Sequence, residues 1–470
     1  MRKTKIVCTI GPACANEETL TKMCLAGMNV ARLNFSHGTH ESHQVTIDLI
    51  KKVREKLNLP IAILLDTKGP EYRIRTFEGG KITLNEGDPF TFTTEEIVGN
   101  QERVSVSYEG LPKELNPGDI ILLNNGLMTF KVTGTTKTEV QTVVVEGGVL
   151  SDRKSMAFPG KVLKQVYLSE QDKADILFGV ANDVDFIACS FVSEAQNIRD
   201  IKNLLAEHNV KGIDLIAKIE NRAGVDNIQE ICAECDGIMV ARGDLGVEIP
   251  FEELPGIQKH LITKCRLLGK MAITATEMLE SMIEKPRPTR AEISDVANAV
   301  YDGTSAIMLS GETASGKYPV LTVETMSKIA LEAERGIDFA EHFRTFKFPI
   351  HNTADAISHA TCGMAIDVDA KAIAVCSLSG KIVRMVSRFR CPVDILGVTT
   401  DEKSWRKLNL SWGVTPALSE QYNSTDVLFY MATQLAKKAF PLKSGERIVI
   451  TGGASTGKSG GTNLIKIENI

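Results

Sequence analysis

The chain has 470 residues, 43% of them hydrophobic and 24% charged, and at roughly 150 residues per domain it should fold as two to four domains with ample buried core. With 54 basic and 59 acidic residues the net charge is -5, which, without any long basic run, argues against a nucleic-acid partner. No apolar stretch reaches the ~20 residues needed to span a bilayer, and no apolar run follows the basic residues near Met1, so neither a membrane span nor a secretory leader is expected.

In chain order, β-rich runs recur with helical patterns between them. Strands are expected at 5–10, 29–34, 61–66, 185–189, 214–219, 237–241, 271–275 and 305–309. Segments 44–56, 193–208 and 291–301 carry apolar residues at helical spacing. Strands alternating with helices predict a parallel sheet, and eight repeats predict an α/β fold of the (β/α)8 TIM barrel type. The rhythm breaks once. From Tyr72 to about Gly160 the chain is rich in Thr, Val and Gly, with turn signals such as Asn116-Pro117-Gly118-Asp119 and strand-like runs at 90–94, 120–123 and 140–145. This reads as a small β-barrel inserted after the third strand, over the barrel mouth, where it can act as a lid. Beyond a linker at 346–352, strands at 370–377, 393–399 and 447–451 and helices at 353–368, 381–390 and 424–439 predict a C-terminal α/β domain. The expected division is 1–69 with 161–345 for the barrel, 70–160 for the lid and 346–470 for the last domain.

The ten cysteines read as reduced, buried thiols. Cys232 and Cys235 form a CxxC at the end of a helical segment, without a second pair or a nearby His pair, so neither a zinc site nor a redox site is expected there.

Polar residues crowd the ends of the apolar strands. Strand two runs into Arg32, Asn34, Ser36 and His37, strand three ends in Asp66-Thr67-Lys68, and strand five in Lys218-Ile219-Glu220-Asn221. Strand six ends in Arg242-Gly243-Asp244, strand seven in Thr274, Thr276 and Glu277, and strand eight in Ser310-Gly311-Glu312. In a barrel these ends converge on one mouth, where active sites are built. Glu220 and Asp244, without His or Cys beside them, suit octahedral Mg2+ better than zinc. Lys218 and Arg32 can neutralise phosphoryl charge, and Thr276 and Ser310 offer hydroxyls for proton relay.

These segments resemble the pyruvate kinase family over essentially the whole chain. The resemblance is carried by Thr9-Ile10-Gly11-Pro12, Arg32-Leu33-Asn34-Phe35-Ser36-His37-Gly38, Leu65-Asp66-Thr67-Lys68-Gly69-Pro70-Glu71, Lys218-Ile219-Glu220-Asn221 and Met239-Val240-Ala241-Arg242-Gly243-Asp244-Leu245-Gly246, followed by Pro286-Arg287-Pro288-Thr289-Arg290-Ala291-Glu292 and Met308-Leu309-Ser310-Gly311-Glu312-Thr313-Ala314. It implies phosphoryl transfer from phosphoenolpyruvate to ADP, with Mg2+ (or Mn2+) on Glu220 and Asp244 and K+ on Asn34, Ser36, Asp66 and the Thr67 carbonyl. Lys218, helped by Arg32 and Arg73, would stabilise the phosphoryl group. Thr276 with Ser310 would help protonate enolpyruvate, and Gly243 and Asp244 would receive the substrate carboxylate. Asn34, His37 and Lys154 would contact nucleotide. Glu71 agrees with the K+-dependent branch, and a cytoplasmic homotetramer is implied. The chain departs from the family's pattern at Glu277 (usually Gln), at Asn124-Asn125-Gly126, at 155–160 and at Gln171 (commonly Lys).

Near the C-terminus, Gly452 to Ser459 satisfies GxxxxGK[ST], but only eleven residues follow Ser459 and they read as a strand rather than the helix a P-loop needs. The milder expectation is a phosphate cradle on backbone N–H groups; together with the turn at Ser377, Ser379 and Lys381, the loop with Gly457 and Lys458 resembles the family's allosteric pocket, which implies a regulatory last domain with a sugar-phosphate or AMP effector. Two other readings stay open: a Mg2+-dependent lyase or aldolase, which would not need Lys218 or the lid, and a non-catalytic sugar-phosphate sensor, which would lack part of the Lys218, Glu220 and Asp244 set.

Overall fold

The computed structural model describes residues 1–161, 163–453 and 460–470. Eight parallel strands close into a barrel: β1 (Lys5–Thr9), β2 (Val30–Asn34), β3 (Ala62–Asp66), β4 (Phe186–Cys189), β5 (Asp214–Ile219), β6 (Gly237–Ala241), β7 (Met271–Ala275) and β8 (Ala306–Leu309), with β8 pairing back onto β1. The strands are buried along almost their whole length because helices cover the outside and side chains fill the inside. Val7, Leu64, Phe186, Ile216, Met239 and Met308 belong to the inner cluster. The helices start where the sequence supplies caps; Thr39 and Thr289, for example, each form a reciprocal capping box at the head of His40–Leu57 and Arg290–Tyr301.

Between β3 and β4 the chain leaves to form a seven-stranded sheet and a two-stranded ribbon, with a core of its own that includes Phe90, Phe92 and Phe130. Most pairings in this sheet are antiparallel; Pro89–Thr93 with Arg103–Ser105 is parallel. Gly69 sits at φ +68° on the outgoing crossing, and a side chain there would strike Ser190. Its N–H donates to Asp172 Oδ1 at 3.0 Å, while Ser169 Oγ, on the returning crossing, donates to Asp172 Oδ2 at 2.6 Å. One buried carboxylate therefore fastens both crossings to the barrel rim.

The last sheet has five strands, ordered Val414–Leu418, Asp394–Thr399, Ala372–Cys376, Arg447–Gly453 and Thr462–Asn469, with the final strand antiparallel. It packs under the N-terminal ends of the barrel strands. Leu410, fully buried, joins the inner barrel cluster from below. Around it Arg406 Nε donates to buried Asp185 at 2.8 Å, Lys407 and Arg384 both pair with Asp214, and Asn409 Nδ2 donates to the carbonyls of Asn29 and Pro60 at 2.9 Å each.

All ten cysteines are buried and unbridged. Cys232 lies in the helix Ile228–Glu234 with its sulfur 3.9 Å from that of Cys265. Among the described residues no helix is long and apolar enough to cross a membrane.

Candidate active site

The mouth is built around one ammonium group. Lys218, on β5, places Nζ 3.0 Å from Asp66 Oδ1 and 3.0 Å from Glu220 Oε1, and donates to Ser190 Oγ at 2.6 Å. Arg32, on β2, donates through Nε to Asp66 Oδ2 at 2.6 Å and through Nη1 to Thr9 Oγ1 at 2.9 Å. Asp66 and Glu220 are fully buried, and Lys218 and Arg32 nearly so. Residues from β1, β2, β3, β4 and β5 thus meet at one point, as expected of side chains at the C-terminal ends of barrel strands.

The charges hold one another. Burial pulls the Lys218 pKa down, but Asp66 and then Glu220 outweigh it and carry the group above its ordinary value, so it stays an ammonium. Burial likewise works against ionised Asp66, and Arg32 and Lys218 reverse it, holding that carboxyl below its usual range. Glu220 goes the other way: burial pushes it up, Lys218 pulls it back, and Asp244 adds to the rise. Glu220 Oε2 accepts from Phe191 N at 2.6 Å. Its Oε1 has no hydrogen-bond partner among the described residues, and Lys218 Nζ meets it as an ion pair at 3.0 Å. Asp244 is exposed at the start of the helix Arg242–Glu248, which follows β6 without a break.

On the far side, Thr276 and Glu277 both adopt left-handed backbone, at φ 69° and 53°, an arrangement that costs a non-glycine residue free energy and needs support. Arg242 supplies it. Its guanidinium is buried, donates to the carbonyls of Thr276 at 2.6 Å and Glu277 at 3.2 Å, and pairs with Asp295 at 2.7 Å. Thr276 Oγ1 is thereby held to accept from Gly243 N at 2.8 Å. Ser310 follows β8 with a buried hydroxyl that has no partner among the described residues, and its N–H donates to the buried carboxylate of Glu312 at 2.6 Å.

Of the other expected residues, Asn34 pairs with Asp66 in the strand register and accepts from Ser36 N at 3.1 Å. The Thr67 carbonyl accepts from Ser190 Oγ at 2.6 Å. His37 is exposed on the loop after β2, its carbonyl joined to His43 Nε2 at 2.8 Å. Arg73 is not drawn into the Lys218 cluster: it pairs twice with Glu71, at 2.7 and 2.8 Å, and donates to the Arg153 carbonyl at 2.8 Å. Lys154 lies on the returning edge of the lid, where its carbonyl accepts from Ile74 N. A cavity of ≈ 490 Å³ separates lid from barrel beside Asp244, Glu248, Phe158 and Tyr167.

Ser190, Phe191 and Tyr167 escape a reading of the sequence, and Arg242, placed at the mouth by that reading, was not expected to brace Thr276 and Glu277. Ser190 touches Lys218, Asp66 and Thr67, and Tyr167, on the returning lid crossing, donates to its carbonyl at 2.9 Å. The available signal was position: Ser190-Phe191 directly follows a barrel strand. In the last domain, Ser377 closes the Ala372–Cys376 strand and its N–H donates to the Val398 carbonyl, Lys381 begins the helix Lys381–Ser387, and Ser379 lies between them. Gly457 and Lys458 lie outside the described residues.

A closed eight-stranded barrel with a lid and buried cationic and carboxylate groups at its mouth defines a (β/α)8 enzyme equipped for charged substrates. Residues 1–323 match the family described as pyruvate kinase, barrel domain, and residues 355–468 match pyruvate kinase, alpha/beta domain. The chain is 46% identical over 472 residues to a pyruvate kinase of Geobacillus stearothermophilus, covering 100% of this chain and 80% of that protein. It is 44% identical over 470 residues to one from Clostridium acetobutylicum, covering 100% and 99%. The crystal structure of a pyruvate kinase from Cryptosporidium parvum superposes with a TM-score of 0.95 at 38% identity, covering 100% of this chain and 96% of that one. The chain belongs to the pyruvate kinase family and is a phosphotransferase.

Proposed function

We propose that the mouth binds phosphoenolpyruvate and ADP and transfers the phosphoryl group to ADP, giving pyruvate and ATP as in the last step of glycolysis. The observation that carries this reading is the Lys218 ammonium fixed by Asp66, Glu220 and Ser190. Phosphoryl transfer needs charge held in place more than covalent help. Lys218 and Arg32 would face the phosphoryl oxygens, with Arg73 joining them from the lid after leaving Glu71. Gly243 and Asp244, at the head of a helix whose first N–H groups lack intrahelical partners, would take the carboxylate. Thr276 would hold the proton relay toward the methylene carbon of enolpyruvate, with Ser310 beside it. Asn34, His37 and Lys154 would border the nucleotide.

The residues fit a divalent metal. Glu220 Oε1 is buried without a hydrogen-bond partner among the described residues, and Asp244 adds an exposed carboxylate, giving the hard oxygen donors Mg2+ or Mn2+ takes with water and substrate. Asn34, Ser36, Asp66 and the Thr67 carbonyl offer a further oxygen set for K+; a carboxylate has about four acceptor positions, so Asp66 keeps capacity beyond Arg32, Lys218 and Ser190. When bound, these cations would supply positive charge against the substrate's anionic groups.

The same proposal includes the division into barrel (1–69, 161–345), lid (70–160) and regulatory domain (346–470), the cytoplasm as compartment, a homotetramer, and a sugar-phosphate or AMP effector at Ser377, Ser379 and Lys381 with the Gly457-Lys458 loop. A coupled pyruvate assay with MgADP and phosphoenolpyruvate, run with and without K+ and with an ADP-free control, tests the activity. Phosphoenolpyruvate consumption that does not require ADP would refute it. Half-saturation by phosphoenolpyruvate that is unmoved by fructose 1,6-bisphosphate, ribose 5-phosphate or AMP would remove the effector site.

A further inference from the structure

Where the last domain meets the barrel base, four arginines crowd one small cavity. Arg266 comes from the helix Leu254–Leu268 of the barrel, and Arg384, Arg388 and Arg390 from the segment that follows Gly380. Ser411 completes the group. The Nε atom of each of the four guanidinium groups and the hydroxyl of Ser411 are buried and have no hydrogen-bond partner among the described residues. Arg266, Arg388, Arg390 and Ser411 are 6%, 5%, 4% and 2% exposed. Most buried polar groups find a partner, so five unmet atoms on residues around one cavity form an unusual cluster.

The arginines are unevenly paired. Arg388 pairs with Asp355 at 2.9 Å, and Arg384 shares Asp214 with Lys407. Arg390 spends its Nη atoms on the Ser387 and Gly303 carbonyls and on Ser305 Oγ, and Arg266 meets His342, so neither forms an ion pair with a carboxylate among the described residues. Lys270 also lines the cavity, and no carboxylate does. Arg390 lies over the Trp412 ring and Arg266 over the Phe346 ring, contacts that leave the Nε–H groups free. Burial pushes both guanidinium groups down, Arg266 to about 10; for Arg390 the neighbouring Arg266 adds to the effect and the carboxylate of Glu334 opposes it. A guanidinium stays protonated in proteins, and a buried charge without an ion-pair contact is costly.

We propose that this cavity binds a small monovalent anion of halide size, which the barrel and the last domain grip together. Size selects the class. The cavity is small, ≈ 10 Å³, which limits it to a single small particle and excludes a sugar phosphate or a nucleotide. The charged side chains that line it are all cationic, which suits an anion and repels a cation. With ligands from both sides of the interface, the anion would stiffen the seat of the last domain and so add to stability by linkage.

The test uses the full chain in potassium chloride, bromide or gluconate at equal ionic strength and equal K+. Replacing gluconate by chloride should raise Tm saturably by ~2–4 °C, and a crystal soaked in bromide should show an anomalous peak between Arg390 and Ser411. Ser411→Ala removes one donor to the anion and should raise the half-saturating chloride concentration roughly tenfold. A salt dependence that is linear and equal in both proteins, or a bromide-soaked crystal with no peak at this place, would overturn the proposal and leave the arginines solvated by water alone.

Discussion

Removing Arg406 should loosen the joint between the barrel and the last domain. Its Nε donates to Asp185 Oδ1 at 2.8 Å and its Nη2 pairs with Asp183 at 2.7 Å. Asp185 is fully buried, whereas the Asp183 side chain is 54% exposed. In Arg406→Leu the Asp183 contact is worth under ~1 kcal/mol, so the cost falls almost wholly on Asp185. That carboxylate would keep only the Ile63 N–H at 2.9 Å and the more distant Arg54 at 3.9 Å. Stranding one member of a buried pair costs about 3–5 kcal/mol, and the surviving Arg54 places the expectation near the lower end. Asp185→Asn in the Arg406→Leu background should recover part of that loss, because the stranded charge is gone, giving a coupling of about 1–3 kcal/mol. Urea unfolding followed by Trp405 and Trp412 fluorescence reports the last domain directly. A single-variant loss below about 1 kcal/mol, or a strictly additive cycle, would refute the reasoning.

Lys218→Met should lower kcat by at least roughly 10²–10³-fold with a smaller change in KM, read in the coupled assay. Glu220→Gln should raise the half-saturating Mg2+ concentration; in the parent chain, because burial raises this carboxyl, Mg2+ affinity should weaken as pH falls and protons compete for it. Arg242→Lys should keep the charge near Asp295 yet lose the fork that grips the Thr276 and Glu277 carbonyls, cutting kcat about tenfold or more, with full kcat as the contrary result. Burial, with Asp244 adding and the Phe158 N–H opposing, pushes the Glu248 carboxyl from 4.5 up to about 7. A raised carboxyl pKa means the folded state holds the proton longer, so stability falls as pH climbs between those values. Glu248→Gln should flatten that slope, gaining about 1–3 kcal/mol at pH 8 relative to pH 5, discounted for partial exposure.

The barrel could be read from the sequence because its strands are continuous apolar runs closed by polar residues. The expected strands at 214–219, 237–241 and 271–275 match Asp214–Ile219, Gly237–Ala241 and Met271–Ala275, and the others differ by a residue at one end. Helices such as Glu17–Ala26, Leu254–Leu268 and Pro319–Arg335 went unassigned, since their polar faces and Gly or Pro residues blur the period. The edge strand Val414–Leu418 was hidden by Pro416. Lys218, Asp66 and Glu220 were legible as charges inside apolar strands. Ser190 and Tyr167 were not, because a serine or a tyrosine in a loop has no pattern until folding shows which carbonyl or ammonium it meets; Arg242 was legible at the mouth, but its grip on the Thr276 and Glu277 carbonyls was not.

Leu410 has a consequence for any attempt to cut this chain apart. A fragment ending near the linker would lose the stopper beneath Ile216 and Met239, baring apolar wall together with Asp185 and Asp214. The barrel is in that sense unfinished alone. A transplanted C-terminal unit must bring its own leucine-sized peg and matching guanidinium groups, and evolution can exchange such a unit only by changing the peg and the base it fits in step.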